Sequence, residues 1–129
     1  MTVELWCLVG AVILGLVHVS ADSFSYKAQE GNTYTVGARD DERPRRAMAG
    51  RFHRAMRNFG ETFPLFAALV LVLHVSGRSG GWSTLGAELY LGGRIAYLPA
   101  YLSGIPYART VCWQIAAVGI VMAIVQLFL

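Results

Sequence analysis

Charged residues are sparse in four stretches of the chain, and these stretches predict membrane helices. The first covers residues 3–21, about 19 residues, close to the roughly 20 that span ~30 Å of hydrocarbon. A signal peptide is the competing interpretation, because Val19-Ser20-Ala21 could suit a cleavage site. However, no Lys or Arg precedes this run and it carries Glu4, which favours a retained transmembrane helix.

The second helix is predicted over residues 47–76. Its purely apolar part, residues 62–75, is about 14 residues long and too short to span a bilayer alone. The helix must therefore begin earlier and carry polar residues with it. From Glu61 to Val75, at 1.5 Å per residue, the rise is roughly 22 Å, so Asn58 and Glu61 lie within the hydrocarbon. Such groups must face protein or a water-filled cleft.

The third and fourth helices are predicted over residues 82–103 and 109–128, with tight glycine-containing links before each. Residues 22–46 form a polar loop, with a short extended piece possible at residues 34–36. This pattern predicts an all-α integral membrane protein, a single domain over residues 1–129 that forms a four-transmembrane-helix bundle.

The composition and the charge distribution support this interpretation. Hydrophobic residues make up 55% of the chain and charged residues 15%, against about 25% in soluble proteins. Eight of the eleven basic residues lie between Lys27 and Arg57, so the net charge of +3 does not indicate nucleic-acid binding. The positive-inside rule places loop 22–46 in the cytoplasm and both termini outside. Cys7 and Cys112 lie in apolar segments and are predicted to be unpaired thiols.

Polar residues on the second helix recur at steps of three and four and so share one stripe. The third helix repeats this spacing, and an arginine opens the fourth. These candidates are Arg51, Arg54, Arg57, Asn58 and Glu61 on the second helix, Arg94, Tyr97 and Tyr101 on the third, and Arg109 on the fourth. The topology brings all three sets to one depth near the cytosolic rim.

Such a pocket suits a small anion with two carboxylates, beside a lipid-facing cleft for an apolar partner. Arg109 and the amides at its helix N-terminus could stabilise a thiolate. A structural alternative is open, because intramembrane arginines often form helix-locking ion pairs or snorkel to headgroups. No metal site is predicted, since His18, His53 and His74 share no ligand spacing.

The run from Arg54 to Pro64 resembles the signature of the MAPEG family, the membrane-associated proteins of eicosanoid and glutathione metabolism. The signature comprises an Arg pair, Asn58, a Glu three residues on and a Pro three beyond that. Chain length, four spans and a basic first loop also match, so the resemblance covers the whole chain. It implies a homotrimer that binds glutathione between neighbours near the cytosolic face.

The resemblance also implies roles for residues. The second-helix residues, with Arg94, Tyr97 and Tyr101, would hold glutathione, and Arg109 stands where the family has a thiol-activating arginine. Trp113 occupies a position that is often Tyr in eukaryotic members, and it can stack but has no hydroxyl. The link at residues 104–107 is more similar to bacterial members, which implies a bacterial inner-membrane protein.

The predicted function is that of a membrane-bound glutathione transferase or peroxidase acting on lipophilic electrophiles or lipid hydroperoxides. Two alternatives remain open. One is a non-catalytic relative that binds lipid or a partner protein. The other is a small multidrug transporter, which would need a carboxylate deep in the first helix, whereas Glu4 lies at its end.

Overall fold

The computed structural model describes residues 1–129 and contains only helices. The helices are α1 (Val3–Glu30), α2 (Asn32–Val36), α3 (Ala47–Ser76), α4 (Gly81–Ser103) and α5 (Ala108–Phe128). The four long helices run alternately up and down, because short turns join α3 to α4 and α4 to α5. One end of the bundle, called the loop end here, therefore contains the carboxyl ends of α1 and α4 and the amino ends of α3 and α5. The opposite end is called the far end.

Local signals in the sequence explain where the helices begin and end. The hydroxyl of Thr2 accepts a hydrogen bond from the amide of Leu5 at 3.3 Å and caps α1. Gly77 and Gly104 end α3 and α4 with φ values of 68° and 71°, a left-handed conformation that glycine adopts without steric cost.

The segment after residue 21 differs from the sequence prediction. α1 continues to Glu30, because no glycine or proline interrupts it before Gly31, whose φ of 83° ends the helix. The extended piece predicted at residues 34–36 is wrong, since these residues belong to the short helix α2. The hydroxyl of Thr35 donates to the carbonyl of Gly31 at 3.0 Å, which supports this turn. The polar loop is therefore confined to residues 37–46.

Three helices, α1, α3 and α5, are long and apolar enough to cross a membrane. α4 has 23 residues but is less apolar, because it contains Glu88, Arg94 and several small residues. It packs most extensively against α5. A Cβ atom at Gly93 would lie 2.8 Å from the carbonyl oxygen of Cys112, so glycine at this position permits the close approach of α4 and α5.

The core lies between α1, α3, α4 and α5. Phe66 and Tyr90 stack with ring centroids 4.0 Å apart, and both side chains are fully buried. The hydroxyls of Tyr90 and Thr62 hydrogen-bond at 3.1 Å. Cys7 lies in the same cluster, and both Cys7 and Cys112 are free thiols, as predicted. This core fixes α3 against α4 immediately beyond the polar residues of the loop end.

Candidate functional site

The polar residues that the sequence places on α3, α4 and α5 line three neighbouring cavities at the loop end. Their volumes are about 280, 260 and 530 Å³, and they share lining residues. We call this region the basic cleft. Its lining residues include Arg51, Arg54, Arg57, Asn58, Glu61, Tyr97, Tyr101, Arg109, Thr110 and Trp113.

The middle of the basic cleft combines the three types of polar group that the α3 stripe predicts, namely guanidinium, amide and carboxylate. Arg57 and Glu61 make no hydrogen bond and no ion pair within the chain, although both line the cavity with Asn58. Both side chains are exposed in the single chain. The cleft therefore presents a free cation and a free carboxylate side by side.

The arginines at the rim are oriented by tyrosine and by backbone. Nε of Arg54 donates to the hydroxyl of Tyr101 at 2.8 Å. The guanidinium carbon of Arg109 lies 4.5 Å from the ring centroid of the same tyrosine, a cation–π geometry. Nη1 of Arg51 donates to the carbonyl of Leu102 at 2.8 Å, so Arg51 also ties α3 to the end of α4. Tyr101 thus holds two arginines from different helices at one place.

Arg94 lies behind the wall of the cleft and is fully buried, so it does not line the three cavities. Its Nη1 donates to Oδ1 of Asn58 at 2.8 Å, while Nε and Nη2 have no hydrogen-bond partner. Its guanidinium carbon lies 4.3 Å from the ring centroid of Tyr97. Arg94 therefore positions Asn58, whose amide nitrogen stays available as a donor in the cleft.

The wall contributed by α5 contains Arg109, Thr110 and Trp113, which enclose the first cavity together with Asn58 and Tyr97. Thr110 was not among the residues predicted from sequence, although its place next to Arg109 at the start of a helix is a signal that points to it. Thr110 supplies a hydroxyl to a wall on which Trp113 has none.

None of the five arginines, Arg51, Arg54, Arg57, Arg94 and Arg109, forms an ion pair with a carboxylate of the chain. The five ion pairs of the protein lie elsewhere, in the segment around Asp22, Glu30 and Asp41. The structural alternative of helix-locking ion pairs is therefore not what the geometry shows for these arginines. Their charges are opposed only by Glu61, so the basic cleft is strongly electropositive and suits an anion with more than one carboxylate.

Glu4 lies at the far end, at the beginning of α1, and not deep within the helix as a transporter would require. It is buried, with 2% of its surface exposed, and it accepts hydrogen bonds from the hydroxyls of Ser83 and Thr84. Glu4 therefore joins α1 to the start of α4 and has no opening toward the basic cleft.

The fold and the site define a class: an all-helical membrane protein with an arginine-rich cleft at one end of its helix bundle. The sequence model of the MAPEG family matches residues 3–129, essentially the whole chain, and the protein belongs to this family. The resemblance found in the α3 motif is thus confirmed. No curated protein shows a significant match to the chain, and no solved structure does so either.

Proposed function

We propose that the protein is a membrane-bound, glutathione-dependent transferase or peroxidase that acts on lipophilic electrophiles or lipid hydroperoxides. The observation that carries this proposal is the set of arginines in the basic cleft that have no carboxylate partner within the chain. Glutathione brings two carboxylates and one ammonium group. The cleft offers several guanidiniums and one free carboxylate, Glu61, which is the complementary set.

Each group of glutathione has a candidate partner. Arg54 and Arg57 would bind carboxylates, Glu61 would accept from the ammonium, and the free amide of Asn58 would donate to a carbonyl oxygen. Arg94 would act through Asn58, and Tyr97, Tyr101 and Trp113 would line the walls. Arg51 would contribute at the outer cavity, where it lies with Arg109. Arg109 would stabilise the sulfur as a thiolate, because a cation beside helix amides favours the anion.

The chemistry follows from the thiolate. In a transferase reaction the thiol loses its proton, the sulfur forms a bond to an electrophilic carbon, and the leaving group departs with the electron pair. In a peroxidase reaction two thiols are oxidised to a disulfide while a hydroperoxide is reduced to an alcohol and water. Both reactions use the same activated sulfur beside the lipid phase.

We also propose that α4 crosses the membrane with the other three long helices and that three copies form a homotrimer. The exposure of Arg57 and Glu61 supports this assembly, because charged side chains on a spanning helix need a protein or aqueous surface. A neighbouring copy would cover them and complete the cleft. The loop end would face the cytoplasm of a bacterial inner membrane, in accordance with the clustered basic residues.

A non-catalytic lipid-binding role is the second candidate. An apolar groove of about 290 Å³ between α1 and α3 favours it. This groove lies on the side of α3 opposite to the basic cleft, and it is lined by Val12, Gly15, Leu16, Val19, Met56, Phe59, Gly60 and Phe63. Lipid could occupy it whether or not a thiol is activated in the cleft.

The test measures the binding of glutathione to the purified protein in detergent. Calorimetry gives the affinity, and the ultraviolet absorbance of the thiolate shows whether the bound thiol is ionised. We expect the wild type to bind glutathione and to give a thiolate signal. Arg109→Ala should retain binding but lose the signal, whereas Arg109→Lys, which keeps the charge, should retain part of it. Arg78→Ala at the far end is the control and should behave as the wild type.

Two outcomes separate the candidates. Binding without a thiolate signal in the wild type would favour the non-catalytic role. No binding at millimolar glutathione would overturn the proposed transferase and peroxidase activities.

A further inference from the structure

A second basic cavity lies outside the bundle, between the carboxyl end of α1, the helix α2 and the polar loop. Its volume is about 450 Å³, and we call it the loop cavity. Its lining residues are Tyr26, Tyr34, Ala38, Arg39, Glu42, Arg43 and Arg45. It shares no lining residue with the basic cleft.

Two tyrosines hold the three arginines of the loop cavity in place. The guanidinium carbons of Arg45 and Arg39 lie 4.1 and 5.5 Å from the ring centroid of Tyr26. That of Arg43 lies 4.2 Å from the ring centroid of Tyr34. Tyr26 is itself only 3% exposed, so the surrounding residues restrict the position of the ring against which Arg39 and Arg45 lie.

The loop that surrounds the cavity is fixed by hydrogen bonds to its backbone. The hydroxyl of Tyr26 donates to the carbonyl of Arg43, and that of Tyr34 donates to the carbonyl of Asp41, both at 2.6 Å. Gln29 donates to the carbonyl of Pro44 at 2.9 Å. These bonds order the arginines before any ligand arrives, which lowers the entropic cost of binding.

Each arginine keeps at least one terminal nitrogen free to bind a ligand. Nε and Nη2 of Arg39 donate hydrogen bonds to the carbonyl of Thr35, so Nη1 is free to bind a ligand. Nε of Arg43 donates to the carboxylate of Asp41 and Nη1 donates to that of Glu30, so Nη2 is free to bind a ligand. The hydrogen bond to Glu30 is also the main reason that the pKa of Arg43 is raised, so its positive charge is secure. Arg45 pairs through Nε with Asp22 at 3.3 Å, which leaves both terminal nitrogens.

The free nitrogens outnumber the single carboxylate, Glu42, that lines the cavity. Fixed guanidiniums around one space bind tetrahedral oxyanions such as phosphate through several charge-assisted hydrogen bonds. Residues 22–46 carry five basic and five acidic side chains, so the segment has no net charge. Binding would therefore depend on the placement of these donors and not on a diffuse positive field.

The depth of the cavity in the bilayer identifies the source of the phosphate. With Val3 at one boundary, ~30 Å of hydrocarbon is crossed in about 20 residues, so Tyr26 lies about 4.5 Å beyond the other boundary. That is the depth of the headgroup layer, which is roughly 5–7 Å thick on each side. Phe24, two residues earlier on α1, is 67% exposed, so α1 still presents an apolar side chain to its surroundings at nearly this depth.

From these observations we infer that the loop cavity binds the phosphate of an anionic phospholipid headgroup in the leaflet at the loop end. This inference does not depend on the proposed glutathione chemistry, because the two sites share no residue. The lipid would fasten the loop and the end of α1 to the membrane surface, beside the entrance to the basic cleft.

The test measures binding of short-chain phosphatidylglycerol to the full-length protein in a neutral detergent by native mass spectrometry. Short-chain phosphatidylcholine is the zwitterionic comparison, and glycerol phosphate is the soluble comparison. We expect phosphatidylglycerol to bind to the wild type more tightly than either. Arg39→Gln should weaken this binding about tenfold or more, because a hydrogen bond to a charged group contributes about 1.5–3 kcal/mol.

Arg46→Gln is the matched control, because it removes the same charge from the same loop at a residue that does not line the cavity. It should leave the affinity for phosphatidylglycerol unchanged. Arg39 has no carboxylate partner, so its replacement should not unfold the loop, and the thermal unfolding temperature of each variant serves as a check of the fold.

Three results would overturn the inference. Equal affinity for phosphatidylcholine would remove the requirement for an anionic headgroup. Equal affinity for glycerol phosphate would assign the cavity to a soluble phosphate compound. Equal losses in Arg39→Gln and Arg46→Gln would show that only the general charge of the loop matters.

Discussion

The two ends of the helix bundle use similar polar residues in opposite ways. At the far end, Glu4 accepts from Ser83 and Thr84, and Nη1 of Arg78 donates to the carbonyl of Leu127 at 2.8 Å. At the loop end, Arg57, Glu61 and Arg109 have no hydrogen-bond partner in the chain, and Arg94 has two unpaired nitrogens although it is buried.

The difference separates polar groups that are paired within the chain, and so stabilise the fold, from polar groups that are not. Polar groups within a membrane protein cost free energy unless they are hydrogen-bonded. At the far end these groups form hydrogen bonds with neighbouring helices, which offsets that cost. At the loop end Arg57, Glu61 and Arg109 have no such partner, and the carboxylates and the ammonium of a ligand such as glutathione would supply them.

Loss of Arg57 should have the largest effect on ligand binding. Because Arg57 is unpaired in the cleft, Arg57→Ala would remove the proposed charge-assisted hydrogen bond to glutathione without breaking any hydrogen bond or ion pair within the chain. Such a bond contributes about 1.5–3 kcal/mol, so the affinity should fall about 10- to 150-fold. Calorimetry in detergent measures it. Arg78→Ala, at the far end, should leave the affinity unchanged, and an equal loss there would break the distinction between the two ends.

Arg94→Gln should separate stability from binding. Arg94 is fully buried with Nε and Nη2 unpaired, and unsatisfied buried donors cost about 1–3 kcal/mol each. Glutamine keeps an amide donor on the helix and removes the unpaired charge. We expect the variant without ligand to unfold at a higher temperature than the wild type.

The same variant should gain less thermal stability from added glutathione, since Asn58 would be held less firmly. Thermal unfolding with and without glutathione measures both effects. If Arg94→Gln is less stable than the wild type without ligand, Arg94 is a structural residue and the comparison between the ends fails at that point.

The sequence predicted the basic cleft because its residues recur at helical spacing on elements whose order was already clear. Arg54, Asn58 and Glu61 had to share a face once α3 was a helix, and α5 had to begin near them. The end of α1 was predicted incorrectly, because polar composition resembles a loop, whereas the helix ends only at Gly31.

Other features depend on contacts between residues distant in the chain, which no local pattern encodes. Examples are the bond from Arg51 to the carbonyl of Leu102 and the burial of Arg94 behind Asn58. The loop cavity is another, since its arginines lie over tyrosines of α1 and α2 only after the loop has folded back. Side-chain packing, not helix periodicity, decides these placements.

Substitutions at two neighbouring glycines of α4, Gly92 and Gly93, test whether the close contact between α4 and α5 stabilises the helix bundle. A Cβ atom at Gly93 would lie 2.8 Å from the carbonyl oxygen of Cys112 and 2.9 Å from the amide of Ala116, whereas none of the surrounding atoms lies within 4 Å of one at Gly92. Gly93→Ala should therefore destabilise the protein by about 1–3 kcal/mol.

Gly92→Ala is the matched control, because it adds the same methyl group where there is space. It should be neutral or more stable by about 0.5–1 kcal/mol, the usual gain when alanine replaces glycine in a helix. Urea unfolding in detergent compares the two. Equal destabilisation by both substitutions would mean that the glycines are needed for some other contact, such as one with a neighbouring copy.

The smallest effect is expected for Glu4→Gln at the far end. Ser83 and Thr84 both donate to Oε1 of the carboxylate, and the neutral amide oxygen of glutamine can still accept from both, although more weakly. The loss should be about 1 kcal/mol in the free energy of unfolding, the difference between a charged and a neutral acceptor. Glutathione affinity should not change, because Glu4 belongs to a set of contacts that is complete within the chain. A fall in glutathione affinity with unchanged stability would place Glu4 in the binding function and remove the division between the two ends.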